Sequence, residues 1–268
     1  MILNIDVQLD YRMDQPTDVF MQVQVPNLPD QRVLAETVTM SPIENIRAVD
    51  AESGIGQRTL LRTTGDLAYS YSAQIDVTRR VHDIATLSEI APHKLPGNVV
   101  RYLMPSRYCL PDEVQDLTQT RGRAGFDRLS GGARIAAIRD WIFEHFEYVI
   151  GSSNAQTTAV DSCRNRQGVC RDYAHVLIAL ARAAAIPARF VSVYAPDVKP
   201  QDFHAVAEVY LDDAWHLVDP TGMAHADEIV RIGVGLDAAE VSFLSSFGRM
   251  TLFSQSVGVT VLNSLAVK

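Results

Sequence analysis

Apolar and polar residues alternate from the first residues of the chain. Leu3, Ile5, Val7, Leu9 and Tyr11 fall on one side, and Val19, Met21, Val23 and Val25 repeat the pattern after Gln15-Pro16-Thr17. A period of two is that of half-buried β-strands. Further strand-like segments at 33–40, 46–49, 57–63 and 67–77 are separated by Pro, Gly and Asp turn signals. Short strands at this spacing predict an antiparallel β-sandwich over residues 1–100.

The period then changes. Ile135, Ile138, Ile142 and Phe146 recur at helical spacing, predicting a helix over 133–146. Residues 171–185 are apolar almost all round until Pro187 stops them, the pattern of a buried helix. Strand patterns resume at 189–194, 204–211, 214–218 and 250–262. Between these regimes, 84–132 is broken by Pro96-Gly97, Pro105, Pro111 and Gly131-Gly132, and reads as a connection with short helical pieces that contains a domain boundary. The expectation is an α+β chain in two parts, a β-sandwich domain at 1–100 and a mixed domain at 101–268. No internal repeat or low-complexity tract interrupts this reading.

Composition narrows the function classes. With 268 residues and 47% of them apolar, the chain can build a sizeable core, and a net charge of -8 gives no basic stripe for phosphates, so no nucleic-acid partner is expected. Asp6 interrupts the N-terminal apolar stretch where a signal peptide would need continuity, and no apolar run is long enough to span a bilayer. Three cysteines are an odd set that does not suggest disulfide stapling. Reduced thiols, a cytoplasmic location and no membrane partner are the expectations, and no sequence feature sets an oligomeric state.

The candidate chemistry lies between residues 168 and 220. Cys170 opens the buried helix, where unpaired backbone N–H groups and the helix dipole favour an anion. Gly168 lets the chain turn there and lets another group approach closely. Cys109 and Cys163 have no such setting, and the Cys163–Cys170 spacing is wider than that of a zinc site, so both are read as structural and no metal is expected.

Seven histidines compete to partner Cys170. His175 lies about 140° around the helix from it and lines up instead with Arg171 and Arg182. A two-residue turn at Asp212-Asp213 would pair 211 with 214 and 206 with 219, putting His204, Val206, Glu208 and Tyr210 on one face with Trp215, Leu217 and Asp219. His204 and Asp219 could then bridge diagonally, whereas a three-residue turn would put them on opposite faces. His216 falls on the other face and reads as a packed histidine.

Cys170, His204 and Asp219 thus supply a nucleophile, a base and the acid that orients it. The Cys170 N–H would be one oxyanion donor. Tyr148 is the candidate for a second, with Gln156, Thr157 and Thr158 as rivals. Asp172, at the helix start, reads as half of a structural ion pair.

These residues carry a resemblance. Gly168-Val169-Cys170-Arg171-Asp172-Tyr173-Ala174-His175, Ile186-Pro187-Ala188-Arg189-Phe190, His204-Ala205-Val206-Ala207-Glu208-Val209-Tyr210 and Trp215-His216-Leu217-Val218-Asp219-Pro220-Thr221 are similar to the transglutaminase-like superfamily, specifically its bacterial cysteine peptidase group with an N-terminal β domain. Tyr102-Leu103-Met104-Pro105-Ser106-Arg107-Tyr108 resembles the segment entering the catalytic domain of that group. The resemblance implies a papain-like α+β catalytic core over roughly 101–230 with Cys170, His204 and Asp219 as its triad. Arg171 stands where calcium-dependent animal transglutaminases carry Trp.

The expected function is cofactor-independent acyl transfer on a peptide or side-chain amide of a peptide or protein substrate, with water as acceptor. The alternatives are transfer to an amine by the same triad, or a non-catalytic binding protein on the same core.

Overall fold

The computed structural model describes residues 1–43, 45–114 and 125–262; the part of the expected 84–132 connection at 115–124 lies outside them. Two antiparallel sheets dominate. The first joins β1 (Ile2–Met21), β2 (Gln31–Met40), β3 (Asn45–Asp50) and β4 (Gln57–Val77) with two late strands, β11 (Leu244–Ser246) and β12 (Thr251–Leu262). β1 and β4 are long because the turn signals within them are not turns. β1 runs through Pro16 as an irregularity, its register against β4 shifting between Met13 and Thr17, and Gly65 (φ 78°) lies opposite Met13. A proline has no N–H for the ladder, and the extra residues bulge out rather than reverse the chain.

The antiparallel β region expected over 1–100 is present, but its other layer comes from elsewhere in the chain. Its alternating apolar face, with Leu3, Ile5, Val7, Leu9, Tyr71 and Ile75 buried, packs against Tyr194, Val230 and Ile232 of the second sheet. The far edge of β1 is covered by β12, from Ile2↔Leu262 to Arg12↔Thr251. Residues 244–246 and 251–262 therefore belong to the first sheet, although a boundary at residue 100 would separate them from it. The cause is an unpaired edge: β4 covers one side of β1 only, and the exposed N–H and C=O groups on the other side need a partner strand.

The second sheet has the order β10-β7-β8-β9, formed by β7 (Ala188–Tyr194), β8 (His204–Leu211), β9 (Ala214–Val218) and β10 (Val230–Gly235). Of these, β10 carries no clean alternation in sequence, because Gly233 sits next to a register shift against β7. Helix α1 (Gly131–His145), α2 (Ala159–Asn165) and α3 (Cys170–Ala183) follow the expected helical regions, with α2 an addition capped by Thr158 and Asp161.

α3 lies against β7 and β8 on one side and against α1 and α2 on the other. Eleven of its fourteen residues are buried, which accounts for its almost uniformly apolar sequence. Each fully buried Leu or Ile there contributes about 1.5–3 kcal/mol. Its polar stripe is buried too, because segments of the chain fold over it. Arg182 donates to the carbonyls of Met104, Ala188 and Leu236, and His175 stacks on Tyr108 with ring centroids 5.0 Å apart.

β8 is also fixed by charge. Buried Glu208 accepts from Arg189 (2.6 Å) and from Arg231 (2.9 Å), Arg231 pairs with Asp30, and Asp30 accepts from Arg79 (2.5 Å). The Arg189 guanidinium lies 4.1 Å from the centre of the Trp215 ring. This chain of pairs ties the second sheet to the segments just before β2 and just after β4, so the strand bearing His204 is clamped by both sheets.

Candidate active site

The local structure around Cys170 follows from Gly168 and Asp172. β5 (Glu147–Tyr148) and β6 (Gln167–Gly168) pair in parallel, with Tyr148 opposite Gly168. Val169 caps α3, and the Asp172 carboxylate reaches back to accept the Val169 N–H at 2.9 Å. A Cβ at Gly168 would lie 2.6 Å from that of Asp172, so no larger residue fits while this cap is kept. The cap leaves the Cys170 N–H in the first turn, where helix donors have no internal partner. Asp172 also accepts from Arg171 at 3.1 Å, which is the expected ion pair with a capping role added.

β8 and β9 meet in the two-residue register, Leu211↔Ala214 through Ala207↔Val218, around a turn in which Asp212 and Asp213 have φ of 45° and 60°. His204 and Asp219 consequently share a face. His204 Nε2 and Asp219 Oδ2 are 2.9 Å apart, and both side chains are buried. Asp219 is held by three further donors: the Thr221 N–H and hydroxyl at 2.8 Å each on Oδ1, and the Ala224 N–H at 2.9 Å on Oδ2. With the carboxylate oriented this way, the bonded ring nitrogen of His204 carries a proton and Nδ1 is the nitrogen left for another partner.

Nδ1 is buried and has no hydrogen-bond partner of normal geometry. Cys170 is nonetheless close enough to act on the ring. Burial lowers the His204 pKa, but hydrogen bonding to Asp219 and to Cys170, with the charge of each, outweighs burial and raises it to about 10. The thiol and the imidazole line the same cavity, where the helix that Cys170 opens packs on the strand that begins with His204. Burial raises the pKa of the Tyr148 phenol, and Cys170 is its other main influence, through charge and through hydrogen bonding from both its backbone and its side chain. The structure thus brings Cys170, His204, Asp219 and Tyr148 together.

The other candidates lie apart or are otherwise engaged. Burial pushes the Cys109 and Cys163 thiols up to about 12. His175 is fully buried, accepts from the Ala238 N–H at 3.2 Å, and has its pKa lowered to about 3, chiefly by burial. His216 is half-buried and lies 3.1 Å from the Leu211 carbonyl. The Thr158 hydroxyl contacts Asp161, that of Thr157 accepts from Asn154, and Gln156 is exposed.

Cys170 and His204 open onto a cavity of about 460 Å³. Its wall includes Arg107, Tyr108, Phe190, Phe203 and Phe243. None of these was marked by sequence as part of a site. Arg107 and Tyr108 lie in a segment noted only for its resemblance, and Phe243 arrives from the loop after β10 with no local signal. Asp237 anchors that loop by accepting the N–H groups of Tyr108 (2.8 Å) and Ala239 (2.9 Å).

A thiol at the start of a buried helix, facing a hairpin that presents imidazole and carboxylate on one face of an antiparallel sheet, is the arrangement of papain-like α+β folds. The comparisons specify the family. Residues 123–220 match the model of the transglutaminase-like superfamily. The crystal structure of a "Putative Cysteine Protease" from Cytophaga hutchinsonii is 33% identical, with a TM-score of 0.91 over 98% of this chain and 91% of that one. The chain belongs to the transglutaminase-like superfamily. An uncharacterized protein of Mycobacterium leprae is 27% identical over 119 residues, which is 41% of this chain; the match spans 42% of that curated relative's length.

Proposed function

We propose that the protein is a cysteine peptidase or amidase in which Cys170, His204 and Asp219 act as a unit. One observation carries this reading: His204 joins a carboxylate through Nε2, keeps its buried Nδ1 unpartnered, and lines the same cavity as Cys170. In the reaction, the Cys170 sulfur attacks the amide carbonyl carbon with the thiol proton held on Nδ1, where the raised pKa of His204 keeps it. The oxyanion that forms takes hydrogen bonds from the Cys170 N–H and the Tyr148 hydroxyl. Collapse expels the amine, which takes the proton from Nδ1, and leaves a thioester on Cys170. Water, losing a proton to Nδ1, then attacks the thioester, and the second collapse releases the carboxylic acid and restores the thiol. Asp219 holds the imidazole in one tautomer and stabilises its charged form.

Hydrolysis is preferred over transfer to an amine because a relative matching nearly the whole chain, that of Cytophaga hutchinsonii, is described as a "Putative Cysteine Protease". The test is a panel of peptide and side-chain amides given to wild-type and Cys170→Ala protein, with and without a labelled primary amine. Release of acid that requires Cys170 supports the proposal, and incorporation of amine in excess of hydrolysis would replace it with transamidation.

Two predictions arise from the geometry. Tyr148→Phe, which removes only the hydroxyl, lowers kcat about 10²- to 10³-fold with little change in KM, as loss of one oxyanion donor does; steady-state kinetics on any substrate from the panel checks it. The pH profile is the other. The leaving amine takes its proton from the imidazolium, and the folded-state pKa of His204 is raised to about 10. Activity therefore holds through the mildly alkaline range and falls as pH rises through about 10, which a kcat/KM profile extended to pH 11 would display.

A further inference from the structure

The cavity has a property that the triad does not use. In a chain of net charge -8, its lining contains, among the described residues, two guanidiniums, Arg107 and Arg171, and no carboxylate. Arg171 is committed, donating to the Asn154 carbonyl at 2.7 Å and to Asp172 at 3.1 Å. Arg107 is exposed and lies 5.1 Å from the centre of the Tyr108 ring, and it forms no ion pair among the described residues. Tyr108 is itself fixed, stacked on His175 and donating its hydroxyl to the Ala155 carbonyl at 2.8 Å. Arg107 is therefore a cation resting on a rigid aromatic plate, with its forked donors unused. Elsewhere on the wall, Phe203 and Phe243 stack at 4.1 Å with a 7° angle between their planes, giving a flat apolar surface.

We infer that the acyl donor presents a carboxylate to Arg107 and an apolar group to the Phe203–Phe243 face, so that the substrate class is an acidic peptide. This inference rests on the proposed function, since it takes Cys170 as the reacting group. The carboxylate is either an acidic side chain or a free α-carboxylate. Both have the planar two-oxygen shape that a guanidinium binds through paired N–H donors.

The test uses two alkylating agents of nearly equal size, iodoacetate and iodoacetamide, which differ by one negative charge. Labelling of Cys170 is followed by peptide mass spectrometry, and the iodoacetate-to-iodoacetamide rate ratio is compared between wild type and Arg107→Gln. Taking the ratio cancels differences in thiol reactivity. Loss of the charge-assisted contact lowers the ratio about fivefold, Arg107→Lys recovers part of it, and 0.5 M salt brings the wild-type ratio toward that of the variant.

Three peptides are then compared for slowing iodoacetamide labelling: acetyl-Phe-Glu-amide, acetyl-Phe-Gln with a free carboxyl terminus, and neutral acetyl-Phe-Gln-amide. One or both acids slow labelling more than the neutral peptide does, in wild type but not in Arg107→Gln, and the better of the two identifies the source of the carboxylate. A ratio unchanged in Arg107→Gln, or equal slowing by all three peptides, overturns the inference. Failure of the underlying reading looks different: iodoacetamide would then label Cys170 no faster than Cys109 or Cys163.

Discussion

Cys170→Ala reduces amide hydrolysis about 10⁵- to 10⁶-fold while leaving the fold intact. The size follows from the way a nucleophile and its base act together: without the sulfur no acyl-enzyme forms, and His204 and Asp219 have nothing to activate. What remains is the contribution of binding and of the oxyanion donors. The fold survives because Cys170 is half-buried at the helix start and makes few of the core contacts of α3, so that losing one sulfur atom leaves a small, solvent-reachable gap. Circular dichroism and thermal melting matching wild type, alongside loss of product release, would bear this out. Residual turnover within tenfold of wild type would remove Cys170 from the chemistry.

Asp219→Asn is expected to lower kcat/KM about 10³- to 10⁴-fold. All four neighbours of this carboxylate are placed to donate: the Thr221 N–H and hydroxyl on one oxygen, the Ala224 N–H and His204 Nε2 on the other. An amide group must turn its NH₂ toward one of these pairs. If it faces His204, the ring must accept at Nε2 and carry its proton on Nδ1, the tautomer that cannot take a proton from the thiol. If it faces Thr221, a backbone N–H loses its acceptor and the loop after β9 shifts, taking the orienting oxygen with it. Either arrangement also costs stability, about 1–3 kcal/mol for an unsatisfied buried donor, because the Ala224 N–H loses its acceptor in the first as the Thr221 N–H does in the second. Kinetics and a denaturant melt on the same variant measure the two losses, and a kcat/KM within a few-fold of wild type would show that the hydrogen bond is not used.

How much of this was legible in the chain depended on the range of the interaction. The His204–Asp219 contact could be derived from Asp212-Asp213, because the length of a turn fixes strand parity and parity fixes faces. The Cys170 position could be read from where an apolar run begins and where Pro187 ends it. By contrast, Pro16 and Gly65 were read as turns when they lie in facing, bulged stretches of two long strands; the residues that break a strand are also those that bend one, and only the partner strand decides. Nothing near residue 250 signals that β12 will cover β1, since an unpaired edge is a need of the folded sheet rather than a local pattern. The cleft wall shares that difficulty. Arg107, Phe203 and Phe243 lie far apart in sequence and meet only because His175, Arg182 and Asp237 draw the segments at 104–109 and 236–243 over α3.

The most direct measurement is the rate at which iodoacetamide labels each cysteine of the native protein at neutral pH, in wild type and in His204→Ala. Cys109 and Cys163 serve as internal references, their thiols held protonated by burial. Cys170 is expected to label at least about 100-fold faster than either, and His204→Ala to remove most of this advantage without changing the other two. Equal labelling of all three cysteines, or a Cys170 rate indifferent to the loss of His204, would contradict it.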